Sequence, residues 1–287
     1  MIGTSIQERV NGALAMMQYS VSPDVTSSSL SISSGDGGTN GMWMTQFGGG
    51  FTWSKSLPLY LEGNAAYSRY DPVFILSNGT ERRPVPLQWN TLVGTVGIGW
   101  DFPIAKELVL RPIANFTLGH VESDLRIATR LIESETGQEV EFLRHGSLNA
   151  VGYGGSLMLD YEHYRETHEI DVEVRLTDIY LESFGSTSEA VQGSALAQSL
   201  GLWSRWRAPT GLRALDRPVR YVLEYAFTRY FGPDGDMLGF NNLNSLGAGL
   251  ELDASALDRI ATRWRLIGRF RFGENVRGWG VGLGISF

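Results

Sequence analysis

Gly278-Trp279-Gly280-Val281-Gly282-Leu283-Gly284-Ile285-Ser286-Phe287 decides how the chain is read. Successive side chains of a strand point to opposite faces, so Trp279, Val281, Leu283, Ile285 and Phe287 share one face. The glycines and Ser286 share the other. One segment earlier, Trp264, Leu266, Phe270 and Phe272 alternate with Arg263, Arg265, Arg269 and Arg271. Further back, Ile170, Val172, Val174 and Leu176 oppose Glu169, Asp171, Glu173 and Arg175. Tyr221, Leu223, Tyr225 and Phe227 oppose Arg220, Glu224 and Thr228, and Leu57, Leu59 and Leu61 oppose Tyr60, Glu62 and Asn64. A period of two this persistent predicts strands with one greasy and one polar side.

Turn residues cut the pattern into twelve segments: 22–34, 41–55, 57–71, 85–102, 106–121, 147–161, 166–184, 187–206, 218–231, 241–253, 260–273 and 276–287. Most run past ten residues, whereas strands of soluble proteins average about 5–6. A tilted strand needs about 9–11 residues to cross a bilayer. Aromatic residues gather near segment ends, at Trp43, Trp53, Trp100, Phe102, Trp279 and Phe287, as in the girdles at lipid–water interfaces. The connections also differ by side. If the first strand starts on the periplasmic side, those facing outward include 72–84 and 122–146, and those facing inward are mostly short. The exception is Arg207–Arg217, long for a periplasmic turn. The expected fold is therefore all-β, a twelve-stranded antiparallel transmembrane barrel over 22–287.

Composition excludes several other classes. No stretch supplies the ~20 apolar residues of a transmembrane helix; the uncharged run Pro84–Trp100 is broken by Gln88, Asn90 and Thr91. Mean hydropathy is −0.10, as expected where apolar and polar residues alternate. Cysteine is absent, which removes disulfides, thiolate metal sites and a Cys nucleophile. A net charge of −7 disfavours a nucleic-acid partner, which calls for a basic excess.

Residues 1–21 read differently. Ser5 and Glu8 have the spacing of a capping box, and Ile6, Val10, Ala13, Leu14 and Met17 recur at helical intervals. Gln7, Arg9, Asn11 and Gln18 lie among the polar positions. A helix over 4–18 would be ~22 Å long, close to the ~25 Å apolar band of an outer-membrane barrel. It is expected to stand inside the pore. Met1-Ile2-Gly3 resembles a trimmed start from which an export signal has been removed.

The terminal strand resembles the signal by which exported barrels are read by the barrel-assembly machinery, carried here by Trp279, Val281, Leu283, Ile285 and Phe287. A pore helix followed by twelve strands resembles the translocator domain of the autotransporter family, over nearly the whole chain. With ten residues before Asn11, the nearest subgroup is the solitary autotransporter-like barrels, which lack a passenger. Passenger-cleaving relatives carry an Asn in the helix, and Asn11 maps onto it; an Asn on a polar helix face usually only hydrogen-bonds. The resemblance implies a bacterial outer-membrane location, contact with lipid and lipopolysaccharide, and a monomer.

The chemistry-bearing residues leave a choice. Arg263, Arg265, Arg269, Arg271, Arg220 and Arg175 with Glu62, Glu169, Asp171, Glu173 and Glu224 are expected to line the pore. They could form a field that orders solute, as charged rings do in channels, or simply pair with one another and with Glu8 and Arg9 to fill the bore. A channel for small polar solutes is thus one rival reading. The other is an enzyme at the outer loops, where His120 lies near Glu122 and Asp124; His145, His163 and His168 are the other candidates for acid–base work, and no Ser-centred motif or paired-carboxylate spacing accompanies His120. Pro233-Asp234-Gly235-Asp236 reads as a turn without Ca²⁺-loop spacing. No enzyme activity, cofactor or metal is expected.

Overall fold

The computed structural model describes residues 11, 13–14, 16–23, 29–32, 41–71, 73–77, 82–86, 88–123, 147–185, 192–233, 240–253, 262–274 and 276–286. Fifteen strands follow in order: β1 Ser29–Ile32, β2 Gly41–Thr52, β3 Leu59–Asp71, β4 Val73–Ser77, β5 Arg82–Pro86, β6 Trp89–Trp100, β7 Phe102–Ala105, β8 Leu108–Ser123, β9 Ser147–Tyr164, β10 Glu169–Phe184, β11 Ser194–Ala214, β12 Arg217–Phe231, β13 Asn242–Asp253, β14 Arg263–Gly273 and β15 Val276–Ser286. Twelve form one antiparallel path, β1-β2-β3-β6-β8-β9-β10-β11-β12-β13-β14-β15, in which each strand pairs with its neighbour in sequence order. The path curls, and β15 returns to within 8 Å of β1.

The connections fall at two ends. At one end lie the short connections between β2 and β3, β7 and β8, β9 and β10, and β11 and β12. The other end carries the longer connections, apart from the short one between β14 and β15. Between β3 and β6 the expected loop 72–84 is instead a separate two-stranded hairpin, β4–β5.

The expected long turn Arg207–Arg217 is not a loop either. β11 runs 21 residues to Ala214, and the pairing passes from Pro209–Arg220 to Arg213–Pro218 across a bulge. Leu215 and Asp216, at φ 52° and 59°, close the hairpin. Beyond Arg207 and Val219, the last pairings with β10 and β13, this hairpin stands alone. Pro209 and Pro218 therefore sit where no flanking strand asks for their missing N–H. Of the expected first span 22–34, Ser22 and Pro23 are not strand and 29–32 form β1; residues 24–28 and 33–34 lie outside the described residues.

Burial is inverted relative to a soluble protein. Among the described residues, thirty-six large apolar or aromatic side chains are exposed, while twelve Asp, Glu and Arg residues are buried. Along β6, Thr91, Val93 and Thr95 are buried and Leu92, Val96 and Ile98 exposed. Water would penalise each such exposed side chain by about 1.5–3 kcal/mol relative to burial, and the buried charges must find partners. Glycine makes room for them: a Cβ on Gly97 would fall 2.6 Å from Glu62 Cγ.

Candidate functional site

The inner face divides into an apolar part and a charged part. Towards the long-connection end, the chain before β1 lies against the wall. Asn11, Ala13, Leu14, Met16 and Met17 have helical backbone, and Ala13, Leu14, Met17 and Val21 are buried. They share one apolar cluster with Val93, Val121, Leu148, Ala150, Ile179, Leu181, Ala195 and Ala197. Met16 and Tyr19 join a second cluster with Met42, Met44, Tyr230, Phe240, Leu243 and Val276. The Tyr19 ring meets Tyr230 edge-on, centroids 4.5 Å apart.

Polar bonds fix the path of this segment. Asn64 Nδ2 donates to the Ser20 carbonyl at 2.6 Å, and Gln46 Nε2 donates to that of Ser22 at 2.5 Å. Asn11 Oδ1 accepts the Ser194 backbone N–H at 3.2 Å. The segment thus descends from the long-connection end, beside Ser194, to the middle of the wall beside Gln46. Gly119 permits the contact, since a Cβ there would lie 2.8 Å from Met17 Cε.

The middle and the short-turn end are braced by charge. Arg175 donates to Glu62 at 2.7 and 2.8 Å, and Asn115 and Ser156 complete that group. Glu169 accepts from Arg220 and Arg263, and Arg207 reaches Glu169 and Asp171 at 3.0 and 2.9 Å. Arg205 also holds Asp171, at 2.9 Å. Glu251 faces Arg207, Arg263 and Arg265, and Arg269 pairs with Glu224 at 2.7 Å. Arg111 lies between Asp101 and Asp160 at 2.5 and 3.0 Å, with its guanidinium 4.0 Å from the Tyr60 ring centre. Nearly every cation has an anion, the arrangement that makes burial of charge tolerable.

All eleven acidic and basic residues singled out from the strands turn to this inner face. Nine of them meet the partners just named. Glu173, cross-strand from Asp160 and Trp203, makes no hydrogen bond or ion pair among the described residues. Arg271 is fully buried, opposite Ser245 and Gly278. Gln18 is buried beside the segment's apolar positions. Ser5, Gln7, Glu8, Arg9 and Phe287 lie outside the described residues. Trp279, Val281, Leu283 and Ile285 point outward and are exposed.

Asp101, Arg111, Asp160, Arg205, Arg207 and Glu251 were not singled out from the sequence. Arg111 could have been, because it is the one charge on the face shared by Ile113, Asn115 and Thr117.

Outside the bore, His120 Nδ1 meets Asn149 Oδ1 at 2.7 Å, and its Nε2 lies 3.4 Å from the Glu122 carboxylate. Its hydrogen-bond partners among the described residues are these two alone, and Asp124 lies outside the described residues. At the short-turn end, burial pushes the Asp101 carboxyl up, but hydrogen bonds from Arg111 and Thr52 outweigh this and hold it below its ordinary range. Glu107, on the turn before β8, is likewise held low, first by His163 and then by Arg165. Among the described residues no three His, Asp or Glu side chains converge as a ready metal site.

No protein-family model matches the sequence, and no curated protein matches it. Among solved structures, the chain is similar to the β domain of the Bordetella autotransporter BrkA. Identity is 12%, over 90% of this chain and 96% of that one, with a TM-score of 0.47. It is similar also to the transport unit of the autotransporter AIDA-I from Escherichia coli, at 14% identity over 97% and 99% of the two chains, TM-score 0.48. The translocator domain of autotransporter NalP from Neisseria meningitidis matches at 11% identity over 90% and 86%, TM-score 0.42.

Proposed function

We propose that this chain is an integral β-barrel of a bacterial outer membrane, of the autotransporter translocator type, with the segment around 11–22 serving as a plug. The observation that carries this is the inverted burial, with leucines, valines and aromatic rings outside and ion pairs inside. Such a wall suits acyl chains, whereas a lipid-facing Arg near the midplane would cost about 2–4 kcal/mol. The dimensions agree. Trp43 and Trp53 are exposed on β2 and just beyond its end, and ten residues at ~3.4 Å tilted ~45° span about 24 Å, close to the height of the apolar band.

The plug reading rests on the close fit of Ala13, Leu14 and Met17 among inward side chains. On this reading the barrel acts without an enzyme site and meets lipid and lipopolysaccharide as a monomer. Trp279, Val281, Leu283 and Ile285 serve the assembly machinery during insertion, together with Phe287.

The test is solubility and electrophoretic mobility. Folded protein should require detergent or lipid and should run faster on SDS gels before boiling than after. A monodisperse, folded chain in plain buffer overturns the membrane reading. In planar bilayers, wild type should stay closed; persistent open current favours a solute channel and removes the plug.

A further inference from the structure

We propose that the short-turn rim carries a divalent transition-metal site made by His163 and His168, with Glu107 orienting His163. The site is outside the bore and does not depend on the plug.

The β9–β10 turn brings the two histidines together. Tyr164 pairs with Glu169, and Arg165 N–H donates to the His168 carbonyl at 2.9 Å. The four-residue connection puts the two imidazoles side by side, ring centres 5.5 Å apart. Two imidazoles sharing one tetrahedral ion, with metal–nitrogen bonds of ~2.0–2.1 Å, have ring centres about 5 Å apart. The rings stand at 28° to one another, so closing the site requires rotation about side-chain bonds and leaves the backbone in place.

Hydrogen bonding leaves the needed lone pairs free. His163 Nδ1 lies 2.8 Å from Glu107 Oε2. An ionised carboxylate only accepts, so Nδ1 carries the proton, and in the neutral ring Nε2 keeps its lone pair. His168 Nδ1 lies 3.0 Å from Thr167 Oγ1; in the tautomer that binds metal, Nδ1–H donates to that hydroxyl oxygen and Nε2 keeps its lone pair. Neither Nε2 has a hydrogen-bond partner or an ion pair among the described residues. A carboxylate on the far nitrogen of an imidazole is the usual support of a metal-binding histidine, because it fixes the tautomer and raises ligand basicity.

Glu107 is itself fixed. Arg165 holds its Oε1 at 3.0 Å, and its carbonyl accepts the Glu162 N–H at 3.0 Å. Its φ is 66°, a conformation that a side chain other than Gly, Asn or Asp seldom adopts. The two-residue turn between β7 and β8 imposes that φ and fixes the point from which the Glu107 carboxylate reaches His163. Imidazole suits Zn²⁺, Cu²⁺ and Ni²⁺; water would fill the remaining positions.

The test is calorimetric titration of the full-length, tag-free protein, folded in detergent, with ZnCl₂ and separately with CuCl₂. One equivalent should bind. His163→Ala or His168→Ala should weaken binding more than tenfold, Glu107→Gln should weaken it about tenfold, and His120→Ala should leave it unchanged. Folding of each variant is checked by gel mobility before and after boiling. The Cu²⁺ complex should show nitrogen hyperfine splitting that is lost in the histidine variants. No binding by folded wild type at millimolar metal overturns the site, as does equal binding by the His163→Ala/His168→Ala double variant. Unchanged affinity in Glu107→Gln overturns the orienting role.

Discussion

Arg175 on β10 donates both terminal nitrogens to the carboxylate of Glu62 on β3, at 2.8 and 2.7 Å, across 113 positions of sequence. Between these strands the wall runs through β6, β8 and β9. The pair is therefore a strut across the bore, and it joins parts of the wall that no backbone ladder connects. Asn115 supports one carboxylate oxygen at 2.7 Å and Ser156 one guanidinium nitrogen at 2.9 Å.

Removing one end of this strut should cost more than removing both. Arg175→Met leaves Glu62 buried without its cation, and breaking a buried pair costs about 3–5 kcal/mol. The double variant Arg175→Met/Glu62→Leu strands neither charge and should recover most of that loss. Urea unfolding in detergent micelles measures both. A double variant as unstable as the single one would show that the strut acts through packing instead of charge.

The turn before β8 should loosen in acid. His163 and Arg165 hold the Glu107 carboxyl below its ordinary value, so its folded pKa is lower than its unfolded one. The stabilisation is then fully present above the unfolded value of about 4.3 and is lost as pH falls through the folded value. Amide exchange at Glu162, whose N–H is bonded to the Glu107 carbonyl, should speed up below about pH 4 in wild type. In Glu107→Gln that step should be absent.

The β11–β12 hairpin should be open to improvement. Leu215 and Asp216 both have positive φ, the conformation of a type I′ turn, which Asn-Gly adopts at least cost. Leu215→Asn with Asp216→Gly should stabilise the folded state by about 1 kcal/mol, since an L-residue in this region costs roughly 1–2 kcal/mol. Leu215 is 79% exposed, so no packing is lost to offset the gain. An unchanged urea midpoint would mean that the flanking bulge sets the turn's conformation.

What the sequence reveals here follows from range. The two faces of β14 and β15 can be read because each residue's side depends only on its neighbour's, and the period of two survives wherever one face meets an apolar medium. Ion-pair partners depend on how the sheet curls. Arg263 and Arg265 meet Glu251, an acidic residue whose own strand gives no hint of them. Pro209, Gly211 and Pro218 misdirect for a different reason. They normally punctuate strands, but in this hairpin the prolines occupy free edges and the glycine, at φ 77°, takes up the bulge. The helical pattern over 4–18 is legible in the sequence, but the contacts that residues 17–22 make with Gln46, Asn64 and Gly119 are not, because those residues belong to strands far along the chain.

Those contacts give the plug reading a local test. Gly119 faces Met17 so closely that a Cβ would lie 2.8 Å from its Cε. An alanine there can be met by a shift of the flexible Met side chain, so Gly119→Ala should behave as wild type. A phenylalanine cannot be met in that way. It must push the segment off Val121, Leu148 and Ala150, which share its apolar cluster, while the strand ladders on either side of Gly119 remain intact. Gly119→Phe should therefore keep heat-modifiable mobility and yet conduct in planar bilayers, approaching the conductance of a chain lacking residues 1–22. A Gly119→Phe barrel that folds and stays closed would show that the charged struts, and not the segment around Met17, block the bore.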